Sequence, residues 1–172
     1  AWVQRLHMAL EENRFCLYSQ EIAALNHTEG GSGHIEILLR LHDEAGRIIL
    51  PESFIPAAER YGLMTSLDRW VVENVFAIIA RCLHERPGRP MAMCAINLSG
   101  ITIGDDDFLG FLRDKFASYR IPPEMICFEI TETSAIANLA SAIRFINELK
   151  ALGCHFSLDD FSDNNNDNEK QP

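Results

Sequence analysis

Along this chain the apolar positions switch between helical and strand spacing, and each switch marks a change of element. Trp2, Val3, Leu6 and Leu10 recur at helical spacing, so residues 2–12 read as an amphipathic helix. Arg14–Glu21 reads as a strand. A Gly/Ser turn at Glu29–Gly33 leads into Ile35–Leu41, where apolar residues alternate strictly as a half-buried strand requires. Pro51 and Pro56 bracket a short helical segment. Thr65 or Ser66 stands where a cap would open a long helix reaching about Glu85, with Trp70, Val71, Val75, Ile78, Ile79 and Cys82 on one face. After the Arg86–Pro90 loop, Met91–Leu98 reads as a strand. Asp105–Asp107 supply the cap and dipole partners of a helix that turns Phe108, Leu109, Phe111, Leu112 and Phe116 inward. Met125–Thr131 is the next strand, Asn138–Leu152 a helix closed by Gly153, and His155–Asp159 the last strand. Strands alternating with helices predict an α/β fold with parallel strands.

The pattern stops at Ser162. Ser162–Pro172 holds no apolar residue and reads as a disordered polar tail. Asp163, Asn165 and Asp167 imitate the start of a calcium loop, but Asn168 stands where that loop needs Gly and the closing Glu is missing, so calcium is rejected. The chain thus divides into a domain at residues 1–161 and a tail at residues 162–172.

Period two also sorts polar side chains onto one side of each strand. Ile35, Ile37, Leu39 and Leu41 share an oily face, opposite Glu36, Leu38 and Arg40. Ala95, Asn97 and Ser99 share a face; Cys127, Glu129 and Thr131 oppose Ile126, Phe128 and Ile130; His155, Ser157 and Asp159 oppose Phe156 and Leu158. In a (β/α)₈ barrel the oily faces meet the helix shell and the others point inward, so Glu36, Asn97, Glu129 and Asp159 would converge near the strand ends, with Asp160 just beyond. Carboxylates gathered there repel one another, and a hard cation such as Mg²⁺ or Mn²⁺ is the usual remedy. Each residue alone reads as a surface or capping group; the pattern on four strands is what favours a metal site.

Composition adds exclusions. A formal net charge of −10 argues against a DNA or RNA polymer as partner. Five scattered cysteines without a C-x-x-C pair are core residues of a reducing compartment, and no stretch is long and apolar enough for a membrane span. With no secretory signal at the N-terminus, the chain reads as cytoplasmic, or as a cytoplasmic piece of something longer.

Six short motifs then carry a specific resemblance. Glu36-Ile37-Leu38-Leu39-Arg40 resembles the E-A-L-L-R signature of EAL domains, with Ile in the Ala position. Phe54-Ile55-Pro56-Ala57-Ala58-Glu59-Arg60 is similar to the family's F-I-P-x-A-E segment, and Asn97-Leu98-Ser99 to its N-x-S motif. Glu129-Ile130-Thr131-Glu132 resembles E-x-T-E, Asp159-Asp160-Phe161 the opening of D-D-F-G-x-G, and Tyr18-Ser19-Gln20 the first-strand Y-x-Q. The resemblance spans residues 1–161 and implies a TIM-type (β/α)₈ barrel, of which the chain holds about the first five strand–helix units, an incomplete barrel. It implies metal-dependent hydrolysis of cyclic di-GMP to the linear dinucleotide. Glu36, Asn97, Glu129, Asp159 and Asp160 would hold Mg²⁺ or Mn²⁺ as the catalytic set. Gln20, Leu38 and Arg40 would contact substrate, and Glu132 would steady the loop that begins at Phe161.

The sequence departs from the family after Phe161, where Ser162 replaces the first Gly of the loop and three further strands with a lysine, glutamates and a glutamine are not found. Two outcomes stay open: a phosphodiesterase domain with an incomplete catalytic set and weak or no turnover, or a non-catalytic module that binds cyclic di-GMP. Five strands cannot close an eight-stranded barrel, so a second copy or another partner is expected on the open edge.

Overall fold

The computed structural model describes residues 1–22, 33–89 and 91–159. The elements run α1 (Trp2–Glu11), β1 (Phe15–Ile22), β2 (His34–His42), β3 (Ile48–Ile49), α2 (Pro51–Arg60), α3 (Met64–Glu85), β4 (Met93–Asn97), α4 (Gly100–Ile103), α5 (Asp106–Tyr119), β5 (Ile126–Thr131), α6 (Glu132–Ala137), α7 (Leu139–Leu152) and β6 (His155–Asp159). The expected Asp160, the loop from Phe161 and the tail at residues 162–172 lie outside the described residues.

The strands form one sheet in the order β1-β2-β4-β5-β6, with the short β3 paired to β2. From β2 onward the main strands are parallel, as the strand–helix alternation requires. The first pair is different: β1 runs antiparallel to β2, in register from Phe15 opposite Leu41 to Ile22 opposite His34. Ile22 and His34 therefore stand opposite one another at the end of that register. A parallel return needs a longer crossover, usually a helix. Among the described residues β1 and β6 end the sheet without meeting, so the architecture is an incomplete α/β barrel.

One apolar core lies between the sheet's oily face and helices α3, α5 and α7, with Phe76, Ile96, Phe108, Leu112, Phe128 and Phe145 fully buried. The buried stripe of α3 is centred on Val71, Val72, Val75, Phe76 and Ile79, while Ile78 of the expected face is exposed. The rotation follows from α5, whose Phe116 packs on Phe76 with ring centroids 4.7 Å apart. A second core gathers Leu6, Phe15, Leu41, Phe54 and Leu67 around α1, β1 and α2. There α2 continues through Pro56 to Arg60; burial of Phe54 and Ala58 outweighs the hydrogen bond that proline removes.

Helix ends decide how the strands deliver their last residues. Asp105 caps α5 by accepting the Asp107 N–H, and Gly153 ends α7 at φ +96°. Neither Thr65 nor Ser66 caps α3, which begins earlier, at Met64. The short α4 and α6, absent from the periodicity reading, are capped by Ser99 and Thr131, which accept the N–H groups of Thr102 and Ser134.

Candidate functional site

The non-oily faces of β1, β2, β4, β5 and β6 form a continuous row. Gln20 lies opposite Glu36, Glu36 opposite Ala95, Asn97 opposite Glu129, Glu129 opposite Ser157, and Thr131 opposite Asp159. Directly opposed residues share a side, so period two has placed Gln20, Glu36, Asn97, Glu129 and Asp159 on one face. Asn97 Nδ2 donates to Glu36 Oε1 at 3.1 Å, bridging β4 to β2. Burial raises the Glu129 carboxyl above its ordinary range, and the charges of Glu36 and Asp159 push the same way, against a bond from Ser157. Glu129 thus lies within electrostatic reach of both Glu36 and Asp159.

A cleft of about 540 Å³ opens at the C-terminal ends of β2, β4 and β5, and Leu38, Arg40, Asn97, Ser99 and Thr131 line it. Chemistry in α/β barrels sits at this end of the strands. Arg40 is half-buried, with Nη1 donating to the Leu39 carbonyl at 2.8 Å. Glu36, Glu129, Asp159 and Gln20 do not line the cleft. Glu132 opens α6 on the exposed side of that turn, and the loop it was expected to steady lies outside the described residues.

The donors on this face, three carboxylates and an amide, are of the kind that suits a hard divalent cation, and Glu129 is raised by burial and by two neighbouring charges. Among the described residues, no group of three His, Cys, Asp or Glu side chains stands close enough to hold a metal ion. Asn97, an amide, is not one of those residue types, and Asp160 falls outside the described residues.

The EAL domain family matches residues 3–169. The chain belongs to the EAL domain family. Cyclic di-GMP phosphodiesterase PdeB of Shewanella oneidensis is 36% identical over 160 residues, 93% of this chain and 18% of that protein. Cyclic di-GMP phosphodiesterase PdeF of Escherichia coli is 35% identical over 161 residues, 94% of this chain and 21% of that protein. The FimX EAL domain of Pseudomonas aeruginosa, solved bound to c-di-GMP, superimposes with a TM-score of 0.82 at 29% identity, covering 91% of this chain and 61% of that one. A MucR phosphodiesterase in complex with c-di-GMP gives a TM-score of 0.82 at 25% identity, covering 94% of this chain and 64% of that one. The chain therefore spans about a fifth of the curated relatives it matches and less than two thirds of these solved EAL chains.

In this EAL domain the signature strand is β2, and Ile37, in the Ala position, turns to the oily face, where it packs on the core. Three polar residues beside the site were not among the expected site residues: Ser157, which stands opposite Glu129 on the neighbouring strand, and the buried pair Asp68 and Thr102. Asp68 did leave a trace, as a carboxylate next to Leu67 and within the apolar run of α3. Its partners, Ser99 and Thr102, are more than one element away and could not be read from spacing.

Proposed function

We propose that this EAL domain binds cyclic di-GMP in the cleft at the C-terminal ends of β2, β4 and β5, as the first part of a metal-dependent phosphodiesterase site yielding the linear dinucleotide. The observation that carries the reading is the bridge from Asn97 to Glu36 beside a Glu129 repelled by Glu36 and Asp159. Glu36, Asn97, Glu129 and Asp159, with Asp160, would hold Mg²⁺ or Mn²⁺. Such an ion, when bound, supplies an activated water and neutralises phosphate charge. The chain's own side chains do the rest. Arg40 offers paired donors to a phosphate, Leu38 gives the apolar wall of the cleft, and Gln20 offers an amide from β1. Turnover in these 172 residues alone is weak or absent, because the family's later strands, with their lysine and glutamates, have no counterpart here.

A second reading, binding without hydrolysis, draws support from the cleft itself: Leu38 and Arg40 line it while Glu36, Glu129 and Asp159 do not. All five cysteines are free thiols, which fits the cytoplasmic setting proposed for either role; no helix among the described residues is long and apolar enough to cross a membrane. Calorimetry with cyclic di-GMP, with and without Mn²⁺, tests both readings when coupled to chromatography for linear product. Binding that Arg40→Ala abolishes is expected, and absence of binding overturns the proposal. Rapid Mn²⁺-dependent product, lost in Glu36→Gln, would overturn the expectation of weak turnover and the second reading together.

A further inference from the structure

We propose that Asp68 is a positioning residue for this site: it locks the turn after β4 and so holds Asn97 against Glu36. The inference rests on the reading of Glu36, Asn97 and Glu129 as a binding face. Asp68 sits on α3 between Leu67 and Val71, on the stripe that faces the core, and only 5% of it is exposed. A carboxyl is retained in such surroundings only where donors satisfy it. Here every donor comes from one turn. Asp68 Oδ2 accepts the Ser99 N–H at 2.9 Å, the Ser99 hydroxyl at 2.8 Å and the Thr102 hydroxyl at 2.6 Å. Thr102 is itself fully buried.

The bonds fall where they fix Asn97. Ser99 follows Asn97 by two positions, and its N–H is pinned to Asp68, while the N–H of the intervening Leu98 is pinned to the Glu129 carbonyl at 2.8 Å. The backbone leaving Asn97 is thus tied both to the helix layer and to the neighbouring strand. Only the side chain remains to be placed, and its Nδ2 reaches Glu36. The cap on α4 could not do this alone. The helix is four residues long, shorter than a self-sustaining helix, and the cap bond from Thr102 N–H to Ser99 Oγ is 3.3 Å. Asp68 does not act by pairing charge either. Among the described residues no Lys or Arg forms an ion pair with it, and the adjacent Arg69 turns to Asp105 at 3.6 Å. Its contribution is geometric, as with the outer-shell groups that orient metal ligands.

The test uses the full 172-residue chain, isotope-labelled and free of metal, in wild type, Asp68→Ala, Asp68→Asn and Leu6→Ala forms. Amide NMR is expected to show Ser99 exchanging at least about tenfold faster in Asp68→Ala, with the Asn97 side-chain amide pair moved to solvent-exposed shifts. Asp68→Asn keeps an acceptor oxygen and preserves both signals. Leu6→Ala weakens the other core cluster and leaves Asn97 unmoved. An unmoved Asn97 in folded Asp68→Ala overturns the inference, as would an equal movement in Leu6→Ala. If Asp68→Ala does not fold, Thr102→Val carries the same expectation at smaller amplitude, and an unmoved Asn97 there overturns it. Titration with Mn²⁺ alone then separates the two readings. Asp68→Ala should bind about 10–100-fold more weakly than Asp68→Asn. Wild type that ignores Mn²⁺ while Asn97 responds to Asp68→Ala would sink the metal reading and leave the positioning role standing; tight Mn²⁺ binding with Asn97 indifferent to Asp68 would do the reverse.

Discussion

Glu129 is half-buried and faces two further carboxylates, so it holds its proton to higher pH in the folded protein than in the unfolded chain. Stability from this group is fully present below its ordinary value of 4.5 and is lost as pH rises through the raised folded value. Glu129→Gln should therefore stabilise the metal-free protein at pH ~7, by less than about 1 kcal/mol given solvent screening, and leave it unchanged at pH ~4. Urea unfolding at the two pH values reads this, and a destabilised variant at neutral pH would refute it. Two helix ends make a second comparison. Both α5 and α7 finish in the left-handed region, at Arg120 (φ 53°) and Gly153 (φ 96°). Arg120→Gly should gain about 0.5 kcal/mol and Gly153→Ala lose about 1 kcal/mol, measured by thermal unfolding. At this scale the inward-facing residues were legible in the sequence, because strict alternation assigns a face without any knowledge of partners. Asp68 was not, because what makes it consequential is a turn that follows a different strand.

Between elements, α3 and α5 are joined by a small polar network. Glu73 receives Tyr119 Oη and Lys115 Nζ, both at 2.5 Å. Burial raises the Glu73 carboxyl, but the bonds from Lys115 and Tyr119 outweigh it and leave its pKa lowered; the bond to Glu73, with some burial, raises that of Tyr119. The two groups give opposite windows. Stability from Glu73 is present above its ordinary 4.5 and lost as pH falls through the lowered value. Stability from Tyr119 is present below its ordinary 10.0 and lost as pH rises through the raised value. Tyr119→Phe should flatten the alkaline limb of a melting-temperature profile, and Glu73→Gln both limbs, each at a cost under about 1 kcal/mol at neutral pH. A profile that keeps its alkaline limb in Tyr119→Phe would contradict the assignment. A second junction lies above the site, where a Cβ on Gly100 would stand 3.1 Å from the Cβ and Oγ of Ser134. Gly100→Ala should push the α4 and α6 turns apart and destabilise by about 1–2 kcal/mol, again read by urea unfolding. The long periodic elements were predicted to within a residue or two. The short α4 and α6 escape the periodicity because four and six residues cannot establish a period, and the parallel arrangement expected of the strands fails at β1 because strand direction leaves no mark on alternation.

Across the whole molecule, the sheet leaves apolar side chains at its margin. Leu158 on β6, which ends the sheet among the described residues, is 50% exposed, and Ile136 on α6 is 75% exposed. Unpaired strand edges with apolar side chains favour association with another chain. Sedimentation should show concentration-dependent self-association, reduced in Leu158→Lys; a strictly monomeric wild type would dismiss the idea. The division into two cores has a consequence in time. Leu6, Phe15, Leu41, Phe54 and Leu67 all come from the first 67 residues, whereas Ile96, Phe128 and Phe145 of the larger core arrive much later from the ribosome. The antiparallel β1–β2 pair closes over a short span, and short loops close early. Synthesis would then deliver Gln20, Glu36, Leu38 and Arg40 already arranged, with Asn97, Glu129 and Asp159 zipping on strand by strand. Pulse-labelled hydrogen exchange during refolding should protect the amides of β1 and β2 before those of β5 and β6.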